Sequence, residues 1–320
     1  MHAIRIEEHG GPEVMRWTEM PDPSPGPGEA LVRLGAAGVN YMDVGARAGG
    51  GPGWAAPAVL GVEGMGYVTA IGEGVTGLVA GDRVAWFYHP GSYAELLAVP
   101  ADSLVEIPDG ISDETAAAVM MQGLTASHLS TETYAIGPGD TAVVHAAAGG
   151  VGRLLTQMIR ARGGRVIGLV SREEKVPVAK EAGADHVLVH SGGGFEERIR
   201  EITGGRGADV VYDGGGTGTF HSSQSALRPH GVHAYYGPFM GVPTLRPTDL
   251  PNSILLTYPV VHHHVATREA LLQRTGEVFD LVLAGRLTPG VTGRYPLADA
   301  ARAHTDLESR RTTGKLLLLP

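Results

Sequence analysis

The 320-residue sequence contains no cysteine. That removes disulfides, thiolate nucleophiles and every zinc site that needs sulfur. Aromatic residues are scarce at 6%, and charged residues reach only 18%. Positive charge is the minority sign: 25 Lys and Arg stand against 34 Asp and Glu, a formal net charge of -9. An acidic surface repels phosphate backbones, so nucleic-acid binding is disfavoured as the main role. No run approaches the roughly 20 apolar residues that span a bilayer, and no membrane partner is expected. The first residues carry Glu7 and Glu8 and lack an apolar core, which argues against a secretory signal. A soluble, cytoplasmic protein is expected.

What is present is a folded composition, 43% hydrophobic, with 48 glycines and no collagen period. The length suggests two domains. Residues 1–110 read as short strands separated by turns at 21–29, 72–74 and 80–82, with one helical candidate at 40–47. This texture predicts a β-rich, barrel-like unit. From residue 111 two helical segments are expected, 111–121 behind a Ser112 cap and 124–134. A regular alternation of strand and helix then runs from Thr141 to Tyr236. It predicts a parallel sheet covered on both faces by helices. A last strand is expected at 254–258, a helix at 269–284, and closing elements at 292–295, 297–308 and 315–319.

The most informative stretch starts at Thr141. An apolar strand runs into Ala147, Ala148, Gly149, Gly150, Val151 and Gly152, and a helix begins at once. This is the G-x-G-x-x-G spacing with Ala147 in the first place, Gly149 in the second and Gly152 in the third. The second glycine lets backbone approach a pyrophosphate, and the third lets helix and strand pack closely. The helix start turns N–H groups toward the phosphates. Among 48 glycines the pattern alone is weak; the strand before it and the helix after it favour a dinucleotide loop over a structural turn.

The second strand indicates which dinucleotide. NAD binders end it on an acidic residue that holds the ribose 2′-hydroxyl. Here Val170 is followed by Ser171 and Arg172, with Lys175 one turn later. A hydroxyl and two cations suit a 2′-phosphate, so NADPH is expected rather than NADH. Glu173 and Glu174 oppose this locally and suit a helix N-terminus.

The stretches GVNYMD (38–43), GVEGMGYVTAIGEGV (61–75), GDRVAW (81–86), HAAAGGVG (145–152), DVVYDGGG (209–216) and YPLADAARAHTDLESRRTTGKLLLLP (295–320) occur in one order over nearly the whole length. In them the chain resembles the zinc-free quinone oxidoreductases (zeta-crystallin-like) of the medium-chain dehydrogenase/reductase superfamily. The resemblance implies an α/β fold of two parts. One is a Rossmann doubly wound parallel sheet domain, 122–258, that binds NADPH. The other is a β-rich GroES-like catalytic domain, 1–121 plus 259–320, completed by the returning tail. It also implies a homodimer.

Zinc-dependent relatives place Cys and His after the first glycine–valine, and His before the Glu of a later motif. Those places hold Asn40, Tyr41 and Val62 here, so no metal is expected. The triplet His262–His264 does not change this, because three successive side chains do not converge on one centre.

The resemblance assigns the chemistry to Asn40, whose amide would donate to the acceptor oxygen beside the nicotinamide. Asp43 would cap or orient that segment. Thr125 would lie near the nicotinamide carboxamide, His190 near the adenosine phosphate, and Gly237, Phe239 and Met240 beside the nicotinamide ribose. Arg310 in the tail could reach the cofactor. One departure concerns the pocket: Gly45 and Gly51 stand where relatives carry Tyr. Tyr41 or Trp54 could compensate; otherwise the pocket is wider or the quinone preference does not carry over. The implied activity is quinone reduction. Reduction of activated C=C bonds in enones is the alternative, and a non-enzymatic or RNA-binding role a remote one.

Overall fold

The computed structural model describes residues 1–49, 55–237 and 241–320. Gly51, Trp54, Phe239 and Met240 lie outside the described residues. Two compact units are present. The first comprises Met1–Met121, Ala266–Leu283 and Pro289–Pro320, and the second Gln122–Val265 and Ala284–Thr288.

The first unit opens with β1 (His2–Ile6), β2 (Arg16–Glu19) and β3 (Glu29–Val39), and then helix α1 (Tyr41–Arg47). Strands β4 (Ala58–Val59), β5 (Glu63–Ile71), β6 (Arg83–Phe87), β7 (Leu96–Pro100) and β8 (Leu104–Glu106) follow. Alternation makes β3 a half-buried strand at its start, with Ala30, Val32 and Leu34 inward. The core gathers these with Ile4, Val84, Trp86 and Tyr93. Helix α2 (Asp113–His128) contains the boundary between the units. It is one continuous helix where two segments are expected from sequence. Gly123 does not break it, since an interior glycine costs only about 1 kcal/mol and the face from Ala116 to Met121 is buried. Its start is capped as expected: the Thr115 N–H donates to Ser112 Oγ at 3.3 Å.

The second unit alternates strand and helix: β9 (Thr141–Val144), α3 (Gly150–Ala161), β10 (Arg165–Val170), α4 (Val176–Glu181), β11 (His186–Val189), α5 (Glu196–Ile202), β12 (Ala208–Asp213), α6 (Phe220–Ser225), β13 (Leu227–Tyr235), β14 (Leu255–Thr257) and α7 (Val261–His264). The sheet order is β11-β10-β9-β12-β13-β14, and every neighbouring pair is parallel. The order reverses between β9 and β12, the place where such sheets open a crevice for ligands.

The chain returns to the first unit through α8 (Arg268–Leu283), β15 (Val291–Pro296), α9 (Ala300–Glu308) and β16 (Lys315–Leu319). Strand β16 lies antiparallel to β3, with Leu316 opposite Val39 and Leu317 opposite Gly38. The tail therefore supplies an interior strand of a seven-stranded sheet, ordered β15-β16-β3-β5-β6-β8 with β7 also paired to β3. No helix among the described residues is long and apolar enough to cross a membrane.

Candidate active site

In the second unit the loop after β9 is built from backbone. The His145 N–H donates to Tyr212 O, and the Ala147 N–H to Leu169 O, so the loop leaves the sheet between β10 and β12. Ala146 turns it with φ of 48°, a left-handed conformation rare for a residue with a Cβ. Gly149 is the N-cap of α3, extended at φ -83° and ψ 177°. No side chain caps this end and no acidic residue lies in its first turn, so the positive end of the helix dipole has no counter-charge there. A Cβ on Gly152 would meet Ala146 C at 2.8 Å and Ala147 Cα at 2.9 Å, and one on Gly150 would overlap Gln122. Ala148 and Val151 complete the turn. The missing side chains at Gly150 and Gly152 thus let α3 start close against the Ala146–Ala147 backbone and against Gln122.

The neighbouring strand ends form a second corner. Val170, the last residue of β10, is buried, and Ser171 and Arg172 beyond it are exposed. Lys175 is half-buried just before α4. Val170 pairs with Val189, and the His190 N–H donates to Val170 O at 3.0 Å, which sets His190 beside Ser171. Across the switch point, the loops after β12 and β13 lie backbone on backbone: a Cβ on Gly237 would meet Gly214 O at 2.5 Å. Thr125 is half-buried on α2. The fold thus gathers the loop residues, Ser171, Arg172, Lys175, His190 and Gly237 along the carboxyl edge of one sheet.

Beneath that edge lies a buried polar group that sequence reasoning missed. The Asp213 carboxylate accepts from the Gly215 N–H at 2.7 Å, the Thr219 hydroxyl at 3.0 Å and the Ser223 hydroxyl at 2.7 Å. His233 Nε2 is 3.3 Å away, and Ser223 Oγ is 3.0 Å from His145 Nε2. Burial raises the Asp213 carboxyl, but His145 and the hydrogen bonds from His233 and Ser223 outweigh it and hold it well below the usual carboxylate range. Burial lowers the His145 imidazole to about 4. At neutral pH the pair is therefore a carboxylate beside a neutral ring. It anchors the loops after β9 and β12 from below. The signal lay in DVVYDGGG, where an acid ends an apolar strand.

In the first unit three strand ends meet. Asn40 follows β3, Glu63 starts β5 and Lys315 starts β16. Glu63 and Lys315 are buried and ion-paired, at 0% and 1% exposure. Asn40 Nδ2 donates to Glu63 Oε1 at 3.0 Å and to Gly38 O at 3.4 Å, while Lys315 Nζ donates to Asn40 Oδ1 at 2.9 Å. The second Glu63 oxygen accepts the Met121 N–H. Asp43 Oδ2 accepts the Asn40 N–H at 2.8 Å and the Tyr93 hydroxyl at 2.9 Å, the capping arrangement expected of it. Burial pushes the Asp43 carboxyl up to about 7. Tyr93 Oη lies 3.2 Å from His304 Nε2, and Arg47 Nη1 lies 3.1 Å from His304 Nδ1. Burial and the Arg47 charge lower His304 to about 3. Tyr41 donates to Leu307 O at 3.0 Å, the same carbonyl that accepts the Arg310 N–H. Arg310 is thereby placed near Tyr41, next to Asn40 in sequence.

These geometries have known counterparts. The alcohol dehydrogenase GroES-like domain family matches residues 26–109, and the zinc-binding dehydrogenase family matches residues 150–277. A quinone oxidoreductase of Pseudomonas aeruginosa is 39% identical over 322 residues, covering 99% of both chains. The chain belongs to the quinone oxidoreductase family of the medium-chain dehydrogenase/reductase superfamily. Within that family, the crystal structure of the Escherichia coli quinone oxidoreductase complexed with NADPH superposes with a TM-score of 0.96 at 37% identity, covering 100% of both chains. A 2-haloacrylate reductase from a Burkholderia species is 37% identical over 99% of this chain and 98% of its own. The zinc in one family description finds no sulfur ligand in this chain. Among the described residues no group of three or more His, Asp or Glu is arranged to hold a metal ion.

Proposed function

We propose that this protein is an NADPH-dependent quinone oxidoreductase that works without zinc. The observation that carries the reading is the glycine-rich loop at the uncapped start of α3, set at the switch point of a 3-2-1-4-5-6 parallel sheet. A solved relative of the same fold over its full length holds NADPH. The residues here fit that cofactor. The glycine-rich loop would take the pyrophosphate, and Ser171, Arg172 and Lys175 would take the 2′-phosphate. His190 and Gly237 would flank them. Bound NADPH supplies the hydride; the protein supplies position and hydrogen bonds.

Asn40 is the residue we assign to the acceptor oxygen, with Asp43 holding its backbone. Thr125 and Arg310 are assigned supporting contacts to the cofactor. A homodimer is supported by the edge strand β14, where Leu255 is 64% and the nearby Tyr258 55% exposed. An activated C=C bond is the second acceptor class, favoured by the 2-haloacrylate reductase relative and by Gly45 where aromatic residues usually narrow the pocket. Oxidation of NADPH against a panel of quinones and enones tests both. Turnover confined to enones would replace the first acceptor class by the second. No turnover with any acceptor would remove the enzymatic reading.

A further inference from the structure

We propose that Lys315 and Glu63 are positioning residues for the reduction, acting through the side chain of Asn40. The inference rests on the reading of the chain as a reductase that uses Asn40.

Two opposite charges at 1% and 0% exposure are costly to bury. Desolvation takes several kcal/mol per ion, and an apolar pair of similar volume often serves stability as well or better. Stability alone therefore does not account for the pair. Its surroundings are built to keep it. A Cβ on Gly38 would meet Lys315 Cε and Nζ, each at 2.6 Å, so the ammonium occupies space that only a glycine leaves open. The β16–β3 register delivers Lys315 to this point from 275 residues away along the chain.

The consequence falls on the Asn40 amide. An amide has two similar ends, and a site that donates to an oxyanion needs the NH2 end fixed. Lys315 has only donors, so it binds Oδ1. Glu63 has only acceptors here, so it binds Nδ2. The pair leaves the amide one orientation. It also leaves one N–H on the longer 3.4 Å contact to Gly38 O, the weaker bond and the one an incoming oxygen can take over. The ammonium on Oδ1 draws electron density from the amide and makes that N–H a better donor. As hydride reaches the acceptor, Asn40 donates this N–H to the oxygen where negative charge builds. That oxygen then takes its proton from water, and Asn40 keeps both of its own.

The test is the double variant Lys315→Met/Glu63→Gln, which removes both charges together and keeps an acceptor for the Met121 N–H. Thermal unfolding within a few degrees of wild type and an NADPH dissociation constant within about twofold are expected. The kcat with a slow acceptor should fall about tenfold, with a smaller change in KM. Adding Asn40→Ala to the double variant should lower kcat little further, because the residue has already lost its orientation. An unchanged kcat in a folded, NADPH-binding double variant would overturn the proposal. Should that variant not fold, Asn40→Asp serves instead: it keeps an acceptor for Lys315 and loses both N–H groups. Wild-type kcat in Asn40→Asp would equally overturn the proposal. A wild-type protein that oxidises no NADPH with any acceptor would sink the functional reading instead.

Discussion

Arg47 and Glu308 face each other through two parallel hydrogen bonds, Nη1 to Oε2 at 3.0 Å and Nη2 to Oε1 at 2.9 Å. They join α1 to α9 across most of the sequence. The Arg47 side chain is 2% exposed and that of Glu308 35%, so one partner is sunk in the core and the other lies at the surface. Arg47 also donates to Gly10 O, so its donors serve both α9 and the loop after β1. Glu308→Gln should remove the counter-charge and leave the guanidinium buried. A loss of about 1–3 kcal/mol is expected, below the roughly 3–5 kcal/mol for a fully buried pair because Glu308 is partly solvated. Urea unfolding at neutral pH measures it. A change under about 0.5 kcal/mol would show that the pair adds nothing beyond its packing.

Asp43 should make stability depend on pH in an unusual direction. Its carboxyl is raised from 3.8 to about 7, chiefly by burial, against the opposing help of the Asn40 N–H, Tyr93 and Lys315 and with Glu63 adding to the rise. The folded protein then holds a proton that the unfolded chain has released, so stability falls as pH rises between those values and is full below them. The span corresponds to at most about 4 kcal/mol. Asp43→Asn keeps both hydrogen bonds and lacks the titration. The variant should be no more stable than wild type at pH 4 and more stable at pH 8. A difference that does not change with pH would mean that Asp43 titrates in the ordinary carboxylate range.

Gly152→Ala should push the Ala146–Gly149 loop off the start of α3. The new Cβ meets backbone atoms of Ala146 and Ala147, which cannot swing aside as a side chain would. The loop must shift away from the start of α3. NADPH affinity should fall at least about tenfold, a change of roughly 1.4 kcal/mol or more. Fluorescence titration reads this directly, and wild-type affinity would argue that the loop does not carry the phosphates.

Cofactor choice should lie in Ser171, Arg172 and Lys175. NADPH is expected to bind at least about tenfold more tightly than NADH, from a charge-assisted contribution of roughly 1.5–3 kcal/mol. Lys175→Ala should weaken NADPH and leave NADH nearly unchanged. Equal affinities for the two cofactors in the wild-type protein would remove this assignment.

The local patterns were the legible part of the sequence. The strand–loop–helix at Thr141–Ala161 and the parallel alternation after it follow from periodicity and glycine spacing, and both stand in the structure. Asp43 could be read as a capping residue because its partner is only three positions away. Lys315 could not be paired with Glu63 in advance, because that contact depends on the β16–β3 register between distant strands. Asp213 was hidden for a related reason. Its partners His145, Ser223 and His233 come from three other segments, and only the sheet order brings them together. The continuous α2 spans the gap at 122–123 between the two expected segments, because burial of the helix outweighs the small penalty of Gly123.

The closing strand β16 also sets an order of events during synthesis. Chains fold from the N-terminal side as they emerge, domain by domain. Residues 1–121 appear first, yet their sheet lacks two strands, β15 and β16, until residues 315–319 are made. The intervening unit, a continuous stretch apart from a short return segment, is fully translated before then. Through that interval the Ala37–Val39 end of β3 lacks its β16 partner and Glu63 has no Lys315 beside it. The half that emerges first from the ribosome is therefore the last to mature, and a ribosome stalled before Lys315 would hold a finished nucleotide-binding unit joined to an incomplete partner.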